Sequence, residues 1–144
     1  MLLSMNWIGD FVDLSGLDKT ALIRRFTLST AEVEDIIVKG ADTCGVIAAR
    51  IASVTPHPNS SKLHLLKVDT GRGLVDCVCG APNVREGMTV AFVPAGVRVS
   101  GHEIGDAVVA GYPSHGMCCS EAELGISADN SGLFDIPDAI APGT

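Results

Sequence analysis

The sequence predicts a mainly β fold with short helices, a Greek-key barrel preceded by a small helical segment. Three observations predict it. After residue 40 the chain breaks into short β-branched or alternating apolar runs separated by Gly, Pro and Asn clusters. Before residue 40 the apolar residues instead recur at helical spacing behind two capping side chains. Of the 144 residues, 47% are hydrophobic and 19% charged, enough to build a core and too apolar for wholesale disorder.

Taken in order, Ser4 caps a short helix whose Trp7, Ile8, Phe11 and Val12 form one apolar face. Asp18 caps a second, with Leu22, Ile23 and Phe26 on one side and Arg24 and Arg25 on the other. Residues 33–38 read as a strand or an extended exit. Two short helices bury little alone, so residues 1–39 are expected to dock on a partner surface. Strands are expected at 46–54, 63–70, 74–79 and 89–93, with shorter ones near 97–99, 107–109 and 116–118. Their separators are Pro56-His57-Pro58-Asn59, Thr70-Gly71-Arg72-Gly73, Gly80-Ala81-Pro82-Asn83 and Glu86-Gly87. Ser120-Glu121-Ala122-Glu123 is a capping box that predicts a late helix of about one turn, closed by Gly125. Some five short strands and one late helix in about 100 residues match a small barrel of the oligonucleotide-binding type, the OB-fold.

Charge and cysteine content narrow the chemistry. Ten Lys+Arg against seventeen Asp+Glu leave a formal charge of −7, the opposite of what a duplex-DNA binder carries. Six basic and eleven acidic groups over residues 40–144 give that region −5. One Trp, one Tyr and four Phe are too few for a row of base-stacking platforms. Any nucleic-acid contact must therefore use a small local patch. No run is apolar and long enough to cross a membrane as a helix, and the start lacks a secretory pattern, which together predict a soluble, cytoplasmic protein. The five cysteines, Cys44, Cys77, Cys79, Cys118 and Cys119, invite a zinc reading with His115. One residue separates Cys77 from Cys79 where zinc knuckles have two to four, and the vicinal pair would point to opposite faces of a strand. Reduced core thiols fit better, so no metal ligands are assigned.

Four ordered motifs then carry a resemblance. They are His57-Pro58-Asn59-Ser60-Ser61-Lys62-Leu63, Lys67-Val68-Asp69-x-Gly71, Val78 through Gly87 around Ala81-Pro82-Asn83-Val84-Arg85, and Ser114-His115-Gly116-Met117-Cys118-Cys119-Ser120-Glu121-x-Glu123-Leu124-Gly125. Together they resemble the tRNA-binding OB-fold domain at the front of bacterial phenylalanyl-tRNA synthetase β chains, and residues 6–15 and 28–34 resemble the same chain's N-terminus. The resemblance implies an auxiliary tRNA-binding module supporting attachment of phenylalanine to tRNA. It also implies a longer parent chain, with residues 1–39 as half of a split domain and 40–144 as the barrel. The implied partners are tRNA, the synthetase α subunit and the remaining β-chain domains, without DNA or membrane. ATP and Mg are expected only for the complete synthetase, and no cofactor for these residues. Where the family usually has Asp, this sequence has Ser61, which removes one charge beside Lys62.

No P-loop, G-x-S-x-G or H-E-x-x-H motif is present, and no catalytic residue is assigned. The RNA-binding candidates are His57, Asn59, Lys62, Asn83, Arg85 and Ser120. Lys62 offers a charge to phosphate and Arg85 a planar fork. Asn59 and Asn83 offer amides to base edges or ribose hydroxyls, and Ser120 with the helix amides behind it offers an anion cradle. Five of the six have a structural alternative: turn formation for His57 and both asparagines, solvated charge for Lys62 and Arg85. A scaffold role in synthetase assembly, with incidental RNA contact, is the competing function.

Overall fold

The computed structural model describes residues 2–38, 43–137 and 139–144. The chain forms two compact units, one ending at Ile37 and one beginning at Val38; the expected boundary at 39–40 lies outside the described residues.

In the first unit, α1 (Met5–Gly9) starts where Ser4 Oγ accepts from the Trp7 amide at 3.3 Å. Asp18 Oδ1 starts α2 (Lys19–Ser29) by accepting from the amides of Thr20 at 2.9 Å and Ala21 at 3.4 Å. Both caps satisfy amides that a helix leaves without intrahelical partners. Leu22, Ile23 and Phe26 are half-buried while Arg24 and Arg25 are exposed, as the periodicity requires. The apolar face expected on the first helix is open instead: of its four residues only Ile8 is half-buried, and Trp7 meets Phe11 edge-on at 5.6 Å with both rings exposed. Neither helix buries a residue, and residues 31–38 form neither helix nor strand.

The second unit is a mainly β barrel. Strands β1 (Ile47–Pro56), β2 (His64–Asp69), β3 (Leu74–Cys79) and β4 (Thr89–Pro94) carry most of it. Then come β5 (Val97–Val99), β6 (His102–Ile104), β7 (Ala107–Val109), β8 (Tyr112–Ser114) and β9 (Gly116–Cys118). The main sheet is antiparallel in the order β3-β2-β1-β4-β9. One long strand serves both halves: residues 47–50 of β1 pair with β4, and residues 50–56 pair with β2. Between Ile51 and Ser53 the register slips, so Ala52 is an extra residue that bends and twists the strand at the changeover. The far edges meet at a seam, where the His115 amide donates to Asp76 O at 2.8 Å and the Val78 amide to Ser114 Oγ at 3.2 Å.

Alternation along β1 and β2 turns Ala49, Ile51, Leu66 and Val68 into the barrel, where they meet Cys77, Met88, Val90, Phe92 and Cys118. Every residue from Thr89 to Val93 is buried, because β4 is covered on both faces. Val90 and Phe92 point into the barrel, while Ala91 and Val93 pack under Val99, Cys119, Leu124, Phe134 and Ile136.

Two hairpins escape the sequence reading. β5–β6 turns at Ser100-Gly101 and β7–β8 at Ala110-Gly111, each a two-residue loop with both φ angles positive, the twist that suits a tight hairpin. The late helix is a correction. Its capping box forms in full: the Ser120 amide and hydroxyl donate to Glu123 Oε2 at 2.7 and 2.8 Å, and Glu123 N donates to Ser120 Oγ at 3.3 Å. Residues 121–125 nevertheless form turns without an α-helix. Gly125, at φ +67°, ends the segment before helical bonds can propagate past their costly first turn.

Candidate nucleic-acid interface

The strand register gathers three connections at one end of the barrel. Pro56 pairs with His64, and His64 with Cys79, so the end of β1, the start of β2 and the end of β3 lie side by side. The loops that leave them, residues 57–63 and 80–88, are therefore neighbours. At Gly80 a Cβ would sit 3.4 Å from the Leu63 side chain, at contact distance, which shows how closely the two loops approach. The third connection is the β7–β8 hairpin tip. Its Ala110 carbonyl accepts from His57 Nε2 at 3.2 Å, and Tyr112 meets the imidazole edge-on at 5.0 Å.

His57 is the pin of this arrangement. It is 4% exposed, and its Nδ1 accepts from the Asn59 amide at 3.1 Å. With Nδ1 accepting, the ring proton sits on Nε2 and faces the carbonyl of Ala110. Both nitrogens are spent on the backbone, which favours the turn-shaping alternative over direct contact with a nucleotide. The Leu63 carbonyl accepts from His57 N at 3.0 Å and closes the loop from its other end. Asn59 and Lys62 project from that loop and are exposed.

Asn83 and Arg85 turn toward the returning chain. Asn83 Nδ2 donates to Leu133 O at 2.9 Å and Leu133 N donates to Asn83 Oδ1 at 2.8 Å, so one side-chain amide mimics a strand partner. Gly132 is required beside it, since a Cβ there would lie 2.6 Å from the Asn83 amide. Arg85 Nη2 meets Asp135 Oδ2 at 2.6 Å, an exposed pair that offsets the charge a phosphate would seek. Ser120 is 6% exposed with its hydroxyl committed to Glu123. The anion cradle expected there loses its physical basis, because there is no helix N-terminus behind Ser120 to supply aligned amides.

The structure thus brings His57, Asn59 and Lys62 together, sets Asn83 and Arg85 against residues 133–135, and buries Ser120. Sequence reasoning missed Ala110, Leu133 and Asp135 as the partners of these residues. Only Ala110 carried a local signal, the Gly111 beside it, a residue that tight hairpin turns favour. Among the other cations, Lys67 pairs with Asp76 at 2.6 Å and Arg98 donates to Gly101 O at 3.2 Å.

The sulfurs form a separate cluster. Cys77 Sγ lies 4.0 Å from Cys118 Sγ. The hydrogen bond from Cys118 holds the Cys77 thiol down at about 7 and pushes Cys118 up. Burial raises Cys79 and drives Cys119 up to about 12. His115 is engaged with Asp106 at 2.8 Å, and among the described residues no three His, Cys, Asp or Glu side chains converge as metal ligands.

Several known proteins are similar to this chain. A phenylalanine–tRNA ligase β subunit from Anaeromyxobacter dehalogenans is 42% identical over 146 residues, covering 100% of this chain and 18% of the relative. Its counterpart in Bordetella parapertussis is 41% identical over 142 residues, covering 96% of this chain and 17% of the relative. The chain thus spans less than a fifth of the length of the curated relatives it matches. In structure it is similar to a MetRS-related protein from Pyrococcus horikoshii, with a TM-score of 0.52 and 18% identity over 76% of this chain and 96% of that one. The C-terminal domain of Plasmodium vivax p43 gives the same TM-score of 0.52 at 20% identity, over 71% of this chain and 59% of that one. At such identities these two neighbours speak for the barrel fold alone. Residues 46–144, well over half of the chain, match the family model described as "Putative tRNA binding domain", and the chain belongs to that family.

Proposed function

We propose that the barrel is an auxiliary tRNA-binding module of a phenylalanine–tRNA ligase β subunit, non-catalytic in itself and needing no cofactor of its own. The observation that carries this reading is the convergence of three connections around buried His57, which presents Asn59 and Lys62 outward on one rigid loop. A preformed loop binds RNA without first paying to order itself, and a single lysine suits one phosphate of a folded RNA. The formal charge of −7 opposes RNA as a whole, so affinity is weak and falls quickly with salt. Binding then matters when neighbouring domains hold the tRNA close, where the local concentration is high.

The test is fluorescence anisotropy with labelled tRNA at low and moderate salt, comparing the unaltered protein with Lys62→Glu. Loss of one phosphate contact lowers affinity roughly 3- to 10-fold and flattens the slope of log K against log salt by about 0.7–0.9. Unchanged affinity and slope for Lys62→Glu would sink this reading.

A second reading, assembly with the α subunit or other β-chain domains, draws on a different observation. The helical unit leaves Trp7, Phe11, Leu17 and Leu28 exposed and buries no helical residue. Impaired co-purification with α subunit in Trp7→Ser/Phe11→Ser, with tRNA affinity intact, would favour it.

A further inference from the structure

Four cysteines, Cys77, Cys79, Cys118 and Cys119, are buried, and none of them is used by the RNA-binding reading. Two of them face each other. Cys77 on β3 and Cys118 on β9 stand on opposite sides of the seam that closes the barrel, with their sulfurs 4.0 Å apart. Their surroundings are equally specific. Cys77 Sγ lies 3.6 Å from Gly116 O, and β9 is only three residues long, joined to β4 through Cys118, Met117 and Gly116. A three-residue strand is held by few ladder hydrogen bonds, and its local opening is the route by which a buried sulfur meets a small reagent.

We propose that Cys77 and Cys118 are an oxidation site, at which a small hydroperoxide converts the two thiols into a disulfide that staples β3 to β9 across the seam. Cys77 is the attacking sulfur. The hydrogen bond with Cys118 lowers the Cys77 thiol to about 7, which makes its thiolate accessible near neutral pH, whereas burial raises Cys79 and Cys119. The thiolate displaces hydroxide from hydrogen peroxide, giving a sulfenic acid, and the hydroxide takes up a proton to leave as water. Cys118 then gives up its proton and attacks the sulfur of Cys77. The S–OH bond breaks, the S–S bond forms and a second water departs. Two thiols are oxidised by two electrons and one peroxide is reduced to two waters. The narrow seam selects a reagent of two oxygen atoms over bulky disulfides, since Cys77 is only 2% exposed.

The experiment uses the protein with exposed Cys44 changed to Ser, treated with hydrogen peroxide, then denatured and alkylated. The expected product is 2 Da lighter, alkylates at two of its four remaining cysteines, and yields a 77–118 cross-link in fragment-ion maps that dithiothreitol abolishes. Because the bridge joins positions 41 residues apart, Tm rises by about 10 °C on oxidation. In Cys118→Ser the hydroxyl still donates to Cys77 but cannot form a disulfide, so the sulfenic acid of Cys77 persists and is captured by dimedone. Full retention of four thiols, a cross-link through Cys79 or Cys119, or a gain of 16 or 32 Da without a cross-link would overturn the proposal. The maps on the otherwise unaltered chain decide the matter even if Cys118→Ser does not fold.

Discussion

Asn83→Ala separates a structural clamp from a nucleotide contact. The substitution removes two hydrogen bonds, of 2.9 and 2.8 Å, and strands both the carbonyl and the amide of Leu133. A buried polar group left without a partner costs about 1–3 kcal/mol. Water reaches the flank of Asn83, which is exposed as a residue, so each loss falls near the lower end and the pair costs about 2–3 kcal/mol. Leu133 itself is a core residue at 7% exposure, and full release of its side chain would add about 2 kcal/mol. At roughly 4 °C per kcal/mol for a chain of this size, Tm drops by about 8–12 °C. The assays are differential scanning calorimetry and urea unfolding followed by circular dichroism. Asn83→Asp is the control, since its carboxylate still accepts from Leu133 N but meets Leu133 O as a second acceptor, so it recovers none of the donor half. A Tm within 2 °C of the unaltered protein, together with weakened tRNA binding, would refute the clamp and return Asn83 to the RNA surface.

Four further outcomes rest on the geometry of single contacts. Gly116→Ala puts a methyl 2.6 Å from Val93 O and against the ring of buried Phe92 at φ +138°, so urea unfolding should show a loss above about 3 kcal/mol. Gly87→Ala, at φ +82° in open space, should lose only about 1 kcal/mol; equal losses would remove the steric argument. His57→Ala leaves Asn59 N and Ala110 O without partners, costs about 2–3 kcal/mol and speeds hydrogen exchange at the Asn59 amide, while unchanged exchange would mean that His57 does not order the loop. A double-mutant cycle on Arg85 and Asp135, 58% and 48% exposed, should give a coupling of about 0.2–1 kcal/mol, and a value above 2 would show a pair far better shielded from water than this geometry allows.

The four long strands, the two helix caps and the cluster of loop motifs were legible because each depends on residues within a few positions of one another. Alternation in β1 and β2 marks the inward residues, and Ser4 and Asp18 find their amides two or three residues on. The short strands β6 and β8 carry no such alternation, and their hairpins announce themselves only through Ser100-Gly101 and Ala110-Gly111. The capping box at Ser120 shows the limit of local reading: its bonds form, yet the helix does not, because propagation needs more residues than Gly125 leaves.

What the sequence determined by itself was therefore the four long strands, the two capped N-terminal helices and, through its loop motifs, the tRNA-binding family. Tertiary structure alone decided what the polar loop residues do. Asn83 meets Leu133 and Arg85 meets Asp135 across 50 positions, His57 meets Ala110 across 53, and Cys77 meets Cys118 across 41. A side chain's donors and acceptors are written in its chemistry, but which of them stay open to a ligand depends on where the chain returns. That return is set by barrel closure, to which residues far apart in sequence contribute together.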